Sequence, residues 1–149
     1  MATAEKTDQT PSPRRLYLDT SAYLCMILRE QGSDTLIEET TGSELLSSVL
    51  LILEAKRNIV RLTREGVLEP DQYKKCLARI EADADFFLLS DLTLDICRSN
   101  TMPAVLTPRS LDLVHLRTAL AFNSVERIDR FVTNDESQRE AAKELGLPI

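Results

Sequence analysis

Glycine is scarce in this chain, four residues in 149, and the four are scattered. A dinucleotide-binding fold needs a G-x-G-x-x-G cluster at its first strand-to-helix turn, so that class is excluded. Cys25, Cys76 and Cys97 are odd in number, widely spaced and in no C-x-x-C pair. They offer no disulfide framework, and their places inside apolar patterns read as buried thiols in a reducing cytosol. Long apolar runs are missing as well. None approaches membrane-spanning length, and the first residues lack the apolar core of a signal peptide, so the expected location is cytoplasmic. Positive charge is in the minority, with 18 Lys and Arg against 24 Asp and Glu and a net charge of −6. A sequence-independent DNA coat would be basic. Nucleic acid as a substrate stays open, because carboxylates gathered to hold a metal make a bare protein look acidic.

What is present is an ordinary globular composition, 43% apolar and 28% charged, at a length that fits one domain. Residues 1–14 are polar with two prolines and read as a loose tail, which leaves 15–149 as the domain. Leu16-Tyr17-Leu18 is a short continuous apolar run, the form of a strand covered on both faces, and Asp19 ends it. Ser21 is placed to cap an apolar helix over 22–28, and a second short helix is expected over 34–40. The helix over 22–28 is apolar nearly all round and must be covered by its own sheet, a second copy or a partner segment. A strand over 44–48 precedes a long helix over 49–64 that Gly66 stops. Glu69-Pro70-Asp71 opens the next helix, to Ala84. Strands are expected over 86–89 and 130–133, with helices over 91–99, 111–122 (capped by Ser110) and 136–145, and a short edge strand at 147–149. Strands alternating with helices predict an α/β fold around a small, mostly parallel sheet.

In such a sheet the carboxyl ends of the strands and the helix starts share one edge. Asp19 and Asp135 fall at strand ends, and Glu54 and Asp112 fall in the first turns of helices. Two carboxylates about 5 Å apart repel by roughly 3 kcal/mol at an effective dielectric of about 20, so four converging acids require a cation. An all-oxygen set suits Mg²⁺ or Mn²⁺ rather than zinc and would activate water against a phosphodiester. Spacing alone favours reading each acid as a helix cap or a surface residue. His115, three positions after Asp112, is expected to be hydrogen-bonded in or beside the core, without a catalytic role. Arg57 and Arg61 follow Glu54 at helical spacing and are candidates for contact with RNA phosphates; Arg64 reads rather as part of a solvated, ion-paired face. Asp129 reads as a loop residue. A phosphotransfer domain with Asp19 as nucleophile is disfavoured, because Ser21 stands where a second aspartate is expected.

The blocks Leu18-Asp19-Thr20-Ser21-Ala22, Leu46-Ser47-Ser48 with Glu54, Arg109 to Leu120, and Phe131-Val132-Thr133-Asn134-Asp135 resemble, in order, the four blocks of PIN-domain ribonucleases of the VapC toxin type. Ala141 to Leu147 is similar to that family's usual ending, so the resemblance runs from about residue 15 to the end. It implies a three-layer α/β/α sandwich with a four- to five-stranded sheet. It also implies a Mg²⁺- or Mn²⁺-dependent endoribonuclease, a homodimer neutralised by a cognate antitoxin. Asp19, Glu54, Asp112 and Asp135 are then the metal-binding, catalytic acids, with Ser21 and Thr133 as hydroxyls that orient them. Leu113 and Arg117 depart from the alanine common at their positions. The alternative is a PIN domain without activity that serves as a protein- or RNA-binding module.

Overall fold

Arg15–Leu18 forms the first strand, β1, buried along its whole length as a strand with helices on both faces must be. The computed structural model describes residues 10–149. The expected tail over 1–14 falls mostly outside them; residues 10–14 carry neither helix nor strand. After β1 come α1 (Thr20–Ile27), α2 (Ser33–Thr40), β2 (Glu44–Ser48), α3 (Leu50–Arg64), α4 (Pro70–Ala84), β3 (Phe87–Ser90), α5 (Leu94–Arg98), α6 (Ser110–Val125), β4 (Arg130–Val132) and α7 (Glu136–Glu144). The four strands are parallel in the order β3-β2-β1-β4.

Alternation along β1 feeds two cores. Tyr17 packs with Leu46 of β2, Phe131 of β4, and Leu116, Ala119, Ala141 and Ala142 of α6 and α7. Its ring stacks on Phe131 with centroids 5.4 Å apart. Leu16 and Leu18 face the other way, towards Ala22 and Val132. On that side Tyr23, Leu51, Ala55, Ile59 and Ile80 of α1, α3 and α4 form a further cluster. The result is the expected three-layer α/β/α sandwich.

Several local expectations shift. The N-cap of α1 is Asp19, whose carboxylate accepts from the Ala22 N–H at 3.0 Å; Ser21 lies inside the first turn. An aspartate leaving an extended strand can cap the helix it runs into, which frees the serine hydroxyl for other work. Ser110 likewise begins α6 rather than capping it, with Arg109 at the N-cap. The helix expected over 91–99 shrinks to α5, because the Thr93 hydroxyl caps it by accepting from Ile96 N–H at 3.2 Å. Gly66, at φ +74°, follows Glu65, the C-cap of α3, in the left-handed conformation that ends a helix. Residues 147–149 are no strand, although the Phe131 N–H donates to the Pro148 carbonyl at 2.7 Å. Of the three cysteines only Cys25 is buried, and Cys97 is exposed. The apolar α1 is covered by its own chain on most sides. Its Tyr23, Met26 and Ile27, with Ile37, Leu45, Phe86 and Phe87, line a groove of about 460 Å³.

Candidate active site

Because β1 and β4 are parallel neighbours, their carboxyl ends lie side by side, and Leu18 is opposite Val132. Asp19 continues directly from β1 and is 4% exposed. One of its oxygens accepts from the Ser21 hydroxyl at 2.7 Å and from the Ala22 N–H, while the other accepts from the Thr133 hydroxyl at 2.5 Å. Thr133 also accepts from the Asp135 N–H at 3.1 Å, and Ser21 accepts from the Asn134 N–H at 2.9 Å. Two hydroxyls therefore lock the residues after β4 onto Asp19. Burial lifts the Asp19 carboxyl above the usual range, and the Thr133, Ser21 and Ala22 hydrogen bonds offset that only in part.

Glu54, one turn into α3, is fixed from below by groups that spacing did not reveal. Its Oε1 accepts from the Thr20 hydroxyl at 2.9 Å and lies 2.9 Å from His115 Nε2. The other ring nitrogen, Nδ1, is 2.8 Å from the hydroxyl of the fully buried Tyr17. A proton on Nε2 accounts for this set: the ionised carboxylate can only accept, and Nδ1 then accepts from Tyr17. His115 is 1% exposed and sits at the core edge, as expected, but as a brace behind an acid. Burial works to raise the Glu54 pKa, yet the hydrogen bond from His115, with that from Thr20 and the charge of Arg109, holds it below the usual range.

Asp112 and Asp135 border a cavity of about 270 Å³ with Arg109 and Gln138. The Gln138 side-chain amide donates to the Asp112 carbonyl at 2.9 Å, and its backbone N–H donates to Asp135 Oδ1 at 3.1 Å. Gln138, 3% exposed, thus ties the start of α6 to the start of α7. Nothing in its local sequence marks this, since the tie depends on how the two helices pack. Arg109 Nε donates to Asp112 Oδ2 at 3.0 Å.

The remaining candidates stand apart. Arg61 is engaged by Glu65 at 2.9 Å on the exposed side of α3, and Arg57 is exposed. The Asp129 carboxylate accepts from the Arg15 N–H at 2.7 Å, a contact that anchors the start of β1. Arg117 departs from alanine with a purpose: its guanidinium donates to the carbonyls of Thr101 and Ile96 at 3.0 and 3.1 Å and holds the segment after α5.

Among the described residues, no three His, Cys, Asp or Glu side chains form a group that could hold a metal ion, so Asp19, Glu54, Asp112 and Asp135 are not drawn together into one ligand cluster. Mg²⁺ does not need one, since it keeps several waters and takes one or two carboxylates. The donor set fits such an ion. The bonds to Glu54 fall on Oε1, those to Asp112 and Asp135 on one oxygen each, and Asp19 is a buried acid that a cation would relieve. Zinc is not favoured, because both nitrogens of His115 are committed inside the fold.

No family model matches the chain. Among curated proteins it is similar to Ribonuclease VapC35 of Mycobacterium tuberculosis, at 33% identity over 139 residues that cover 90% of this chain and 94% of that protein. Ribonuclease VapC46 of Mycobacterium tuberculosis is 30% identical over 135 residues, covering 90% and 95% respectively.

Proposed function

From the premise that the chain belongs to the VapC-type PIN ribonucleases, we propose that it is a metal-dependent endoribonuclease, the toxin of a toxin–antitoxin pair. The observation that carries the reading is the braced Asp19, an acid kept buried by two hydroxyls where β1 and β4 end together. Asp19, Glu54, Asp112 and Asp135 are the acids that would hold Mg²⁺ or Mn²⁺, directly or through water. When bound, the ion would activate a water nucleophile and neutralise charge on the scissile phosphodiester. The chain's own part is geometric. Ser21 and Thr133 fix the Asp19 carboxylate, while Thr20 and His115 hold Glu54 by its Oε1 alone. Gln138 keeps the helix starts carrying Asp112 and Asp135 at a set separation.

The same reading makes RNA the substrate and an antitoxin the regulator, with a homodimer in the cytoplasm as the working form. The apolar groove beside α1 suits an apolar segment of that antitoxin. No helix among the described residues is long and apolar enough to cross a membrane.

Purified protein incubated with total cellular RNA should cut it in Mn²⁺ or Mg²⁺ and stop on addition of EDTA. A binding module would shift RNA mobility without producing new ends. Loss of a single outer hydroxyl gives a graded effect. Thr133→Val should weaken Mn²⁺ binding by about 10- to 100-fold in calorimetry, the cost typical of removing an orienting partner of a ligand.

A further inference from the structure

Arg109 forms an ion pair with Asp112, and its side chain is 83% exposed while that of Asp112 is 27% exposed. The pair lies three residues apart at the start of α6, and both side chains border the cavity that Asp135 also lines. An exposed ion pair of this kind is weak, on the order of 1 kcal/mol or less, so a competitor for Asp112 can displace the guanidinium. Arg109 is also the N-cap of α6 without a capping bond of its own, so its side chain can leave without uncapping the helix. Released from Asp112, a planar guanidinium at the rim of the cavity is suited to a phosphate, which it can hold through two parallel N–H donors.

We propose that Arg109 is an exchangeable counter-ion: it neutralises Asp112 while the metal is absent and grips an RNA backbone phosphate once the metal has taken that carboxylate. The inference rests on the reading of the acids as a metal site. It adds a positioning residue that links metal binding to RNA binding.

The test compares wild type with Arg109→Gln and Arg109→Lys, all stripped of metal and checked for folding by thermal denaturation in EDTA. In Mn²⁺ calorimetry, Arg109→Gln should bind about fivefold more tightly than wild type. That is the factor corresponding to an ion pair of about 1 kcal/mol at 1.4 kcal/mol per decade. In cleavage assays the same variant should lose kcat/KM, and the log–log slope of kcat/KM against salt should become shallower by about 0.7, the loss of one phosphate contact on a single strand. Arg109→Lys, which keeps the charge, should retain the salt slope. Equal or weaker Mn²⁺ binding by a folded Arg109→Gln, or an unchanged salt slope, overturns the exchange. If wild type itself binds no Mn²⁺, the metal-site reading fails first and carries the exchange down with it.

Discussion

Asp19→Asn is expected to abolish RNA cleavage while raising the melting temperature of the metal-free protein at pH 7. Losing an outer contact of a metal ligand costs up to about 100-fold, so losing a ligand outright should cost more than that. Stability moves the opposite way because of where Asp19 sits. Its carboxyl is buried and pushed above the ordinary range, so the folded state opposes its ionisation. Between the unfolded and folded pKa values the native chain binds more protons than the unfolded one. Stability therefore falls as pH rises through that window, and the loss persists at pH 7. Asparagine keeps an acceptor for Ser21 and the Ala22 N–H, and its amide can face a rotated Thr133 hydroxyl. It removes the buried charge and keeps the cap. A melting curve in EDTA against pH should show the downward slope in wild type and its loss in the variant. Adding Mn²⁺ should then stabilise wild type only, since a ligand stabilises the state that binds it. A variant that melts well below wild type would show Asp19 to be an ordinary structural cap.

The second large effect is expected from His115→Phe. Phenylalanine fills much of the same space but leaves the Tyr17 hydroxyl, in a fully buried ring, with its 2.8 Å partner gone. Losing the closest hydrogen-bond partner of a buried hydroxyl costs about 1–3 kcal/mol, which for a domain of this size lowers the melting temperature by roughly 2–12 °C. A purely steric cost would not respond to Tyr17. Tyr17→Phe introduced together with His115→Phe should recover part of the loss, because the hydroxyl that lost that partner is itself removed. Glu54 supplies a second readout. Without His115 its carboxyl loses the largest contribution holding it below the usual range, so the stability that wild type loses as pH falls through that pKa should shrink. This slope is opposite in sign to that of Asp19. Mn²⁺ affinity should also drop about 10- to 100-fold, since Glu54 keeps only Thr20 as a brace.

The strands were the most legible part of the chain. Leu16-Tyr17-Leu18 announced a strand covered on both faces because the run is short and closed by polar residues, whereas Glu44–Ser48, which emerged with the expected bounds, was legible mainly from its position between two helices. Helix ends were less legible wherever two residues competed for one cap. Asp19 took that role from Ser21 and Arg109 from Ser110, since the preceding backbone conformation, not the residue type alone, selects the cap. The hydroxyl roles of Ser21 and Thr133 came from the family resemblance, and both residues lie against Asp19. Thr20, Tyr17 and Gln138 carried no such mark. Their contacts to Glu54, His115 and Asp112 span 26 to 98 positions and exist only after the sheet and helices have packed. Burial of Cys97 was misjudged for a related reason: α5 is a short surface helix with no buried residue, so its apolar pattern faces no core.

The central claim is that Asp19 belongs to a metal-dependent site that cuts RNA. Mapping the ends produced in total cellular RNA by wild type and Asp19→Asn, each in Mn²⁺ and in EDTA, tests it most directly. Discrete new ends should appear with wild type in Mn²⁺ and in none of the other three samples. The same ends produced by folded Asp19→Asn, or by wild type in EDTA, would contradict the account.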